Sequence, residues 1–263
     1  MEIIDLTKEY ERTYFLCLEE HHEQMDEAIA AKELWYHDMK GKGLRVKLGK
    51  DDHGEVGGMI QYFPIEHSWI AGKDLYFISC IWVHSNKAGA GNFQGKGMGK
   101  ALLKAAVEDA RSLGSKGIVA WGTSLPTWMK ASWYKKQGFI QVDSKGFIGG
   151  DMLMWIPFTE DAIPPKWIKS KKKPENSSEK VKVTCMSHGW CSAMNMACST
   201  AKNVAAEYGD KVEVEVINTS DGSQLKEWGA SDLLYIDGKR LIMGPPPSKE
   251  KLRKIIEKKI RRK

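Results

Sequence analysis

A glycine-rich turn that opens a helix is the first place in this sequence where chemistry is expected. Residues 92–103 read NFQGKGMGKALL. Glycines let the main chain turn tightly and approach a ligand closely, so that several N–H groups can converge on a diphosphate. The helix N-terminus adds a partial positive charge there, and Lys96 and Lys100 add full charges. The segment therefore predicts a phosphate-binding loop.

Two common phosphate-binding patterns do not fit this turn. A Walker A loop needs glycine at the position of Gln94 and serine or threonine at that of Ala101. A dinucleotide fingerprint needs G-x-G-x-x-G, whereas Gly95, Gly97 and Gly99 are spaced as G-x-G-x-G. The spacing that remains is Gln94-x-x-Gly97-x-Gly99, after a strand and at the start of a helix.

With this spacing the sequence resembles the GNAT superfamily of N-acetyltransferases, whose acyl-CoA signature is Q/R-x-x-G-x-G/A. A second match is Tyr134-x-x-x-Gly138-Phe139, at the place of the family's Y-x-x-x-G-F. The resemblance implies acetyl-CoA as the donor and Tyr134 as the acid that protonates the departing CoA thiolate. It also implies that the diphosphate is bound by one run of residues: Gln94, Gly95, Lys96, Gly97, Met98, Gly99 and Lys100.

The chain departs from the family pattern at two places. Thr127 stands seven residues before the tyrosine, where the family often has an asparagine that helps to hold the CoA arm, so Thr127 is assigned to that contact. The loop 85–93 is longer than usual and is expected to shape the acceptor entrance. The segments KELWYHDMKGKGLRVKL, IQYFPIEHSW, CIWVH and MSHGWC narrow the resemblance to YoaP-like proteins, in which a small thioredoxin-like domain follows a GNAT domain.

The resemblance implies direct attack of an amine on the thioester carbonyl in a ternary complex. The pantetheine arm is expected on main-chain groups of the strand before the loop, at Ile81, Trp82 and Val83. An N–H group there would stabilise the oxyanion. The amine must be neutral to attack, and His84 is the first candidate base because histidine titrates near neutrality. Glu66 and His67, in the loop after the preceding strand, are alternatives, as is a chain of water molecules.

A second group of reactive side chains lies in Cys185-Met-Ser-His188-Gly-Trp-Cys191, between a strand and a helix. Thioredoxin-like proteins carry W-C-x-x-C here, with the first cysteine activated at the helix N-terminus. Trp190-Cys191 fits the start of that motif, but Met194 replaces the second cysteine. Three interpretations stay open: an adaptor without redox activity, a thiol site formed by Cys185 and Cys191, and a soft-metal site that adds His188. No metal is assigned.

Alternating strands and helices must position the N-terminal group of residues. Apolar and β-branched runs predict strands at 57–63, 75–83, 117–124, 139–144 and 151–158, the second of them central in its sheet. A helix is predicted over 97–113, with Gly114 as its stop and an apolar face made by Leu102, Leu103, Ala106, Ala110 and Leu113. A second helix is predicted over 126–137, beginning at Pro126. The expected class is α/β, and the resemblance implies a GNAT fold with a mixed central sheet and helices on both faces.

The C-terminal part is expected to be a separate α/β domain. Strands at 181–186 and 211–218, a hairpin about Asp237-Gly238, and helices at 191–209 and in the tail give the order β-α-β-(α)-β-β-α, which is thioredoxin-like. Residues 166–180 are rich in Lys, Pro, Ser and Asn and indicate a flexible basic linker. The predicted domains are therefore 1–165 and 181–263.

Charge and composition limit the partners. The net charge of +6 comes mostly from the linker and the tail, but no aromatic interleaving or nucleic-acid motif accompanies it. In the tail, Ile255, Ile256 and Ile260 at helical spacing favour a helix packed on its own domain. No run of about 18 apolar residues predicts a membrane span, and five cysteines without a secretion signal indicate a cytoplasmic protein. The oligomeric state is left open, with a homodimer among the alternatives.

Three functions follow from these patterns. The first is an acetyl-CoA-dependent N-acetyltransferase whose partners are acyl-CoA and an amine acceptor. The second is a thiol redox or metal-binding protein that uses the C-terminal domain, with the GNAT half as an acyl-CoA sensor. The third is a module steered to nucleic acid by its basic tail, which the missing motifs disfavour.

Overall fold

The computed structural model describes residues 1–19, 26–87, 89–124, 129–146, 150–241 and 246–263. The described residues form two compact units. The first contains those of 1–21 and 37–168, and the second those of 22–36 and 169–263. No helix in the described ranges is long and apolar enough to cross a membrane.

A mixed seven-stranded sheet organises the first unit. Its strands are, in chain order, β1 (Glu2–Asp5), β2 (Arg45–Lys50), β3 (Val56–Pro64), β5 (Tyr76–Val83), β6 (Gly117–Thr123), β7 (Ile140–Lys145) and β8 (Asp151–Pro157). Their spatial order is β1-β2-β3-β5-β6-β8-β7. The pair β5·β6 is parallel and the other neighbours are antiparallel. A small separate pair joins β4 (Ile70–Ala71) to β9 (Lys166–Trp167), at the start of the expected linker.

The centre of the sheet is the most deeply buried part of the unit. Eight of the nine residues of β3 are buried, and so are Phe77 and Ile78 in β5. Apolar runs without alternation are typical of strands covered on both faces, and the prediction of a central strand at 75–83 is confirmed. Strands β1 and β2 were not predicted from the sequence.

Helix α3 (Met98–Ser112) agrees closely with its prediction and is shorter by one residue at each end. The other helices of this unit are α1 (Glu11–Phe15) and α4 (Ala131–Lys136), while α2 (Asp26–Lys40) divides between the units after Tyr36. Four of the five predicted stripe residues of α3 are buried, but Leu113 is 48% exposed because it caps the helix instead of continuing it. Gly114 follows with φ +77° and ends the helix as expected.

Helix α4 begins later than the sequence predicts. Residues 125–128 lie outside the described ranges, and Met129 and Lys130 are not helical, with φ +50° at Met129. The Thr123 N–H donates to the Met129 carbonyl at 2.7 Å, so this segment extends the edge of β6 before the helix starts. Gly122 allows that approach, because a Cβ there would lie 2.9 Å from the Ala131 main chain.

The second unit has a four-stranded sheet of order β11-β10-β12-β13. Its elements are β10 (Val181–Ser187), α5 (Ser192–Ala206), β11 (Val212–Asn218), α6 (Gly222–Trp228), β12 (Leu233–Ile236), β13 (Lys239–Arg240) and α7 (Lys249–Ile260). Strand β10 is parallel to β11 and antiparallel to β12, which forms the expected hairpin with β13. This is the predicted order of elements. In α7, Ile256 is fully buried and Ile255 and Ile260 pack against the same core, so the predicted packing of the tail helix is confirmed.

Candidate active site

Two parallel strands part in the middle of the first sheet. The parallel register of β5 and β6 covers Tyr76–Ile78 and ends at the pair Ile78↔Ala120. Beyond it, β5 continues to Val83 beside β3, while β6 continues to Thr123 beside β8. The main chain of the outer half of β5 therefore borders an opening within the sheet. Ile81, Trp82 and Val83, the predicted pantetheine contacts, lie in that half and are partly exposed.

A bulge marks the point where the strands part. The register of β3 with β5 passes from Tyr62↔Ile78 to Gln61↔Cys80, so Ser79 is an extra residue. Buried side chains hold it, because Tyr14 Oη donates to Gln61 Oε1 at 2.7 Å and Gln61 Nε2 donates to Ser79 Oγ at 2.8 Å. The Trp121 indole also donates to the Ser79 carbonyl at 2.9 Å. This network was not predicted, although a glutamine and a serine inside apolar strands are a visible signal for it.

The glycine-rich turn reaches α3 from the end of β5. Gly91, Gly95 and Gly97 all have positive φ, which glycine adopts without strain. Asn92 Oδ1 accepts from the Gln94 N–H at 3.0 Å and fixes the turn. Gly97 is the residue before α3 and brings no capping side chain, so the first-turn N–H groups of Met98, Gly99 and Lys100 are placed for a ligand.

The surface of this turn is exposed and positively charged. Gln94, Gly95 and Lys96 are exposed, as is Lys100 one helical turn later. Beneath them Phe93 is buried, and a Cβ at Gly57 in β3 would overlap its ring. Gly57 thus lets the turn lie against the sheet, a role that a glycine inside a strand signals and that the sequence analysis did not assign.

Tyr134 lies on α4 within the same core. Its side chain is fully buried, and its hydroxyl donates to Met129 Sδ at 3.7 Å. Burial raises the pKa of Tyr134 well above its usual range, and the nearby Cys80 thiol raises it further. Gly138, with φ +89°, turns the chain so that Phe139 packs on the Tyr134 ring at 5.3 Å. In the pattern Y-x-x-x-G-F, the glycine therefore ends the helix and the phenylalanine packs against the tyrosine.

Three of these elements converge near Gly99. A Cβ placed on Gly99 would lie 3.6 Å from both the Val83 and the Trp133 side chains. Trp133 stacks edge-on against Tyr134, with ring centroids 5.0 Å apart. The structure thus brings together the end of β5, the first turn of α3 and the tyrosine helix. Thr127, the remaining predicted contact, lies outside the described residues.

The two first-named candidate bases occupy opposite ends of β5. His84 follows Val83 and is fully buried, with Nδ1 2.5 Å from the Gly91 carbonyl oxygen. Glu66 accepts from the Asp74 N–H at 3.0 Å, two residues before the start of β5. An eight-residue strand is about 23 Å long, so Glu66 and His84 lie far from each other. His67 lies beside Glu66, and burial lowers its pKa.

Three cysteines of the second unit lie on or next to strand β10 and helix α5. Cys185 lies in β10 and is fully buried, and its hydrogen-bonded neighbour is Cys198 in α5. That bond lowers the pKa of Cys185 and raises the pKa of Cys198. Cys191 is the residue before α5. The proposed partnership of Cys185 and Cys191 stays a prediction, and in the described ranges no three His, Cys, Asp or Glu side chains are grouped to hold a metal ion.

Comparison with known proteins matches residues 3–139 to the acetyltransferase (GNAT) family. No curated protein sequence matches the chain. A ribosomal-protein-alanine N-acetyltransferase from Brucella melitensis is similar in structure, with 17% identity, 60% of this chain and 100% of that chain covered, and a TM-score of 0.45. A GNAT acetyltransferase from the same organism, in complex with acetyl-CoA, has 17% identity, coverage of 62% and 90%, and a TM-score of 0.41. An acetyltransferase from Salmonella typhimurium with acetyl-CoA has 20% identity, coverage of 62% and 97%, and a TM-score of 0.44.

Proposed function

Because the chain belongs to the acetyltransferase (GNAT) family, which it matches over just over half of its 263 residues, we propose that it transfers an acetyl group from acetyl-CoA to an amine. The amine attacks the thioester carbonyl directly in a ternary complex. The observation that carries this proposal is the convergence of the glycine-rich turn, the parted strands and Tyr134 around Gly99. The matched region does not extend to the C-terminal cysteines, which gives no support to a thiol or metal function of that part.

In this proposal, acetyl-CoA extends from the glycine-rich turn into the opening between β5 and β6. Its diphosphate lies on the main-chain N–H groups of Gln94–Lys100, where the helix dipole and Lys96 and Lys100 favour negative charge. The pantetheine arm enters between β5 and β6 and takes strand-like hydrogen bonds from Ile81–Val83, as a third strand would. Thr127 is assigned to the same arm. The thioester then lies near the bulge at Ser79.

Tyr134 acts in this proposal as the acid for the leaving group. Its raised pKa keeps the hydroxyl protonated throughout the neutral range, so that it is always available as a donor. A hydroxyl of high pKa does not by itself give its proton to a thiolate readily. The transfer is therefore coupled to the ammonium proton that the attacking nitrogen loses as the C–S bond breaks.

The substitution Tyr134→Phe tests this assignment. We expect kcat to fall about a hundredfold, the usual contribution of a general acid, with the KM for acetyl-CoA nearly unchanged. The measurement is CoA thiol release with a panel of primary amines. Tyr208→Phe, which removes an exposed tyrosine hydroxyl of the second unit, is the matched control and should retain full activity. Equal rates in the two variants would remove Tyr134 from the mechanism.

The proposal extends to the rest of the chain as a domain organisation. The proposed boundaries are 1–165 for the catalytic domain, 166–180 for a linker and 181–263 for a thioredoxin-like accessory domain of the YoaP-like kind, with residues 22–36 grouped with the second unit. The parallel pair β10·β11, the antiparallel β12 and the order of the helices support that assignment. The proposed site of action is the cytoplasm. Limited proteolysis tests the boundary, and cleavage within 169–180 that leaves two stable fragments is the expected result.

A further inference from the structure

The opening between β5 and β6 has a closed end, which the exposure of the two strands locates. On β5, residues 77–80 are buried and partial exposure begins at Ile81. On β6, residues 117–120 are buried and Trp121 is the first residue that is partly exposed. Trp121 directly follows the last parallel pair between the two strands. Exposure of both strands therefore begins where they part.

The indole of Trp121 bridges the two strands at this closed end. Its Nε1 donates to the Ser79 carbonyl at 2.9 Å. Trp121 and Ser79 are each one residue past the last parallel pair, Ile78↔Ala120. Because the hydrogen bond joins residues on the two sides of the opening, the indole lies across its narrow end.

Both ends of this bridge are held by buried neighbours. The Ser79 hydroxyl accepts from Gln61, which in turn accepts from Tyr14, and all three side chains are fully buried. On the other side, Trp121 pairs with Leu153 of β8, which is also fully buried. Displacing such a network is costly, because each broken hydrogen bond would leave a buried polar group unsatisfied. The bridge is therefore a rigid boundary of the opening.

We propose that Trp121 determines the length of the acyl chain that the protein transfers, because its indole closes the far end of the acyl site. This inference rests on the donor-binding mode proposed above. The pantetheine arm enters from the glycine-rich turn and runs along Ile81–Val83 toward Ser79, so the acyl group is the part of the donor nearest the bridge. An acetyl group ends in front of the indole.

A longer acyl chain meets the indole itself. The additional methylene groups of a butyryl chain would have to displace the Trp121 ring and break its hydrogen bond to Ser79. Added methylene groups in a well-packed site force side chains and main chain to shift, which costs binding free energy. The bulk of the ring, rather than its N–H group, is therefore the feature that selects the short chain.

Acyl-CoA donors of increasing length test the proposal in the full-length protein. In the wild type we expect kcat/KM with a fixed primary amine to fall about a hundredfold from acetyl-CoA to butyryl-CoA, because a single methylene in a closed pocket already changes it about tenfold or more. In Trp121→Ala the two donors should differ by less than about fivefold. Calorimetric titration with the same two donors in the absence of amine measures the preference independently of turnover.

Two further variants separate the bulk of the indole from its hydrogen bond and from general effects. Trp121→Phe keeps a ring but loses the N–H group, and it should retain a preference for acetyl-CoA of at least about twentyfold. Trp167→Ala removes a half-buried indole from β9 of the same unit and should keep the wild-type preference.

Equal use of acetyl-CoA and butyryl-CoA by the wild type would overturn the proposal, and this measurement needs no variant to fold. A Trp121→Ala variant that binds acetyl-CoA and still prefers it a hundredfold would overturn the proposal as well. A wild type that binds acetyl-CoA in preference to butyryl-CoA yet acetylates no amine would instead overturn the acetyltransferase function, while the binding preference would still support the role of Trp121.

Discussion

Gly97 and Gly54 are two glycines that share a backbone conformation but not a location. Their φ values are +85° and +86°, and a Cβ added to either would meet no atom within 4 Å. An alanine at either position costs about 1 kcal/mol of backbone strain without a steric clash. Gly97 begins the proposed diphosphate site, whereas Gly54 lies in the turn between β2 and β3. Alanine substitutions at the two glycines therefore distinguish the effect of backbone strain on stability from the effect of the turn on donor binding.

The expected result is that Gly97→Ala and Gly54→Ala lower the melting temperature equally, while Gly97→Ala alone raises the KM for acetyl-CoA. We expect an increase of about tenfold, because relief of the strain rotates the first-turn N–H groups away from the diphosphate. Thermal unfolding and steady-state kinetics measure the two effects. An unchanged KM in Gly97→Ala would mean that the turn does not bind the donor.

Among individual residues, patterns within a short stretch of sequence were predictable, and contacts between residues distant in sequence were not. Gln94-x-x-Gly97-x-Gly99 lies within six residues, so its spacing alone indicates the turn that the structure contains. Glu19 Oε2 lies 3.8 Å from His84 Nε2 although the two residues are 65 positions apart, and the turn before Glu19 uses Cys17 and Leu18, whose residue types do not predict left-handed backbone. Only the folded chain shows that contact.

Among the elements, those built on apolar runs were predicted best. Strands β3, β5 and β6 were predicted correctly because their mostly apolar sequences are typical of strands buried on both faces. Strand β2 has the sequence RVKLGK, and its two lysines make the short apolar pattern difficult to recognise as a strand. The start of α4 was wrong because Pro126 resembles a helix start, whereas the tertiary bond from Thr123 to Met129 keeps the next residues extended.

Helix α7 offers a test of packing at the level of an element. Ile256 is fully buried in the core of the second unit, where it packs with Leu252 against β10 and α5. We expect Ile256→Ala to lower the free energy of unfolding of this unit by about 3 kcal/mol, the usual cost of such a cavity. Lys258→Ala, on an exposed position of the same helix, should change it by less than about 0.5 kcal/mol. Urea unfolding measures both, and similar values for the two variants would contradict the packing of α7.

For the molecule as a whole, the dependence of stability on pH should be influenced by one carboxyl group. Asp232 is buried beside β12, and this burial raises its pKa from 3.8 to about 7 despite the bond it accepts from the His188 N–H. The folded state therefore holds this proton more tightly than the unfolded state. Its contribution to stability is complete below about pH 4 and is lost as the pH rises through about 7, with an upper limit of about 4 kcal/mol.

Asp232→Asn is expected to remove that dependence. The amide keeps an oxygen for the His188 N–H and cannot ionise, so the second unit should be more stable than the wild type at pH 8 and its free energy of unfolding should fall less between pH 5 and pH 8. Urea unfolding at several pH values, followed by tryptophan fluorescence, makes the comparison. Asp210→Asn, at an exposed carboxylate of the same unit, serves as the control. Parallel pH curves for wild type and Asp232→Asn would contradict the assignment.

The early end of the β5·β6 register has a consequence for how such a chain can change over evolutionary time. Under the proposed mode of donor binding, the thioester arm is met by peptide groups, which every residue except proline supplies in the same form. The partly exposed side chains at 81–83 are then free to vary while the donor is retained. Descendants of one ancestor could thus acquire new acceptors by ordinary side-chain drift, with proline as the one substitution that selection must remove from this strand.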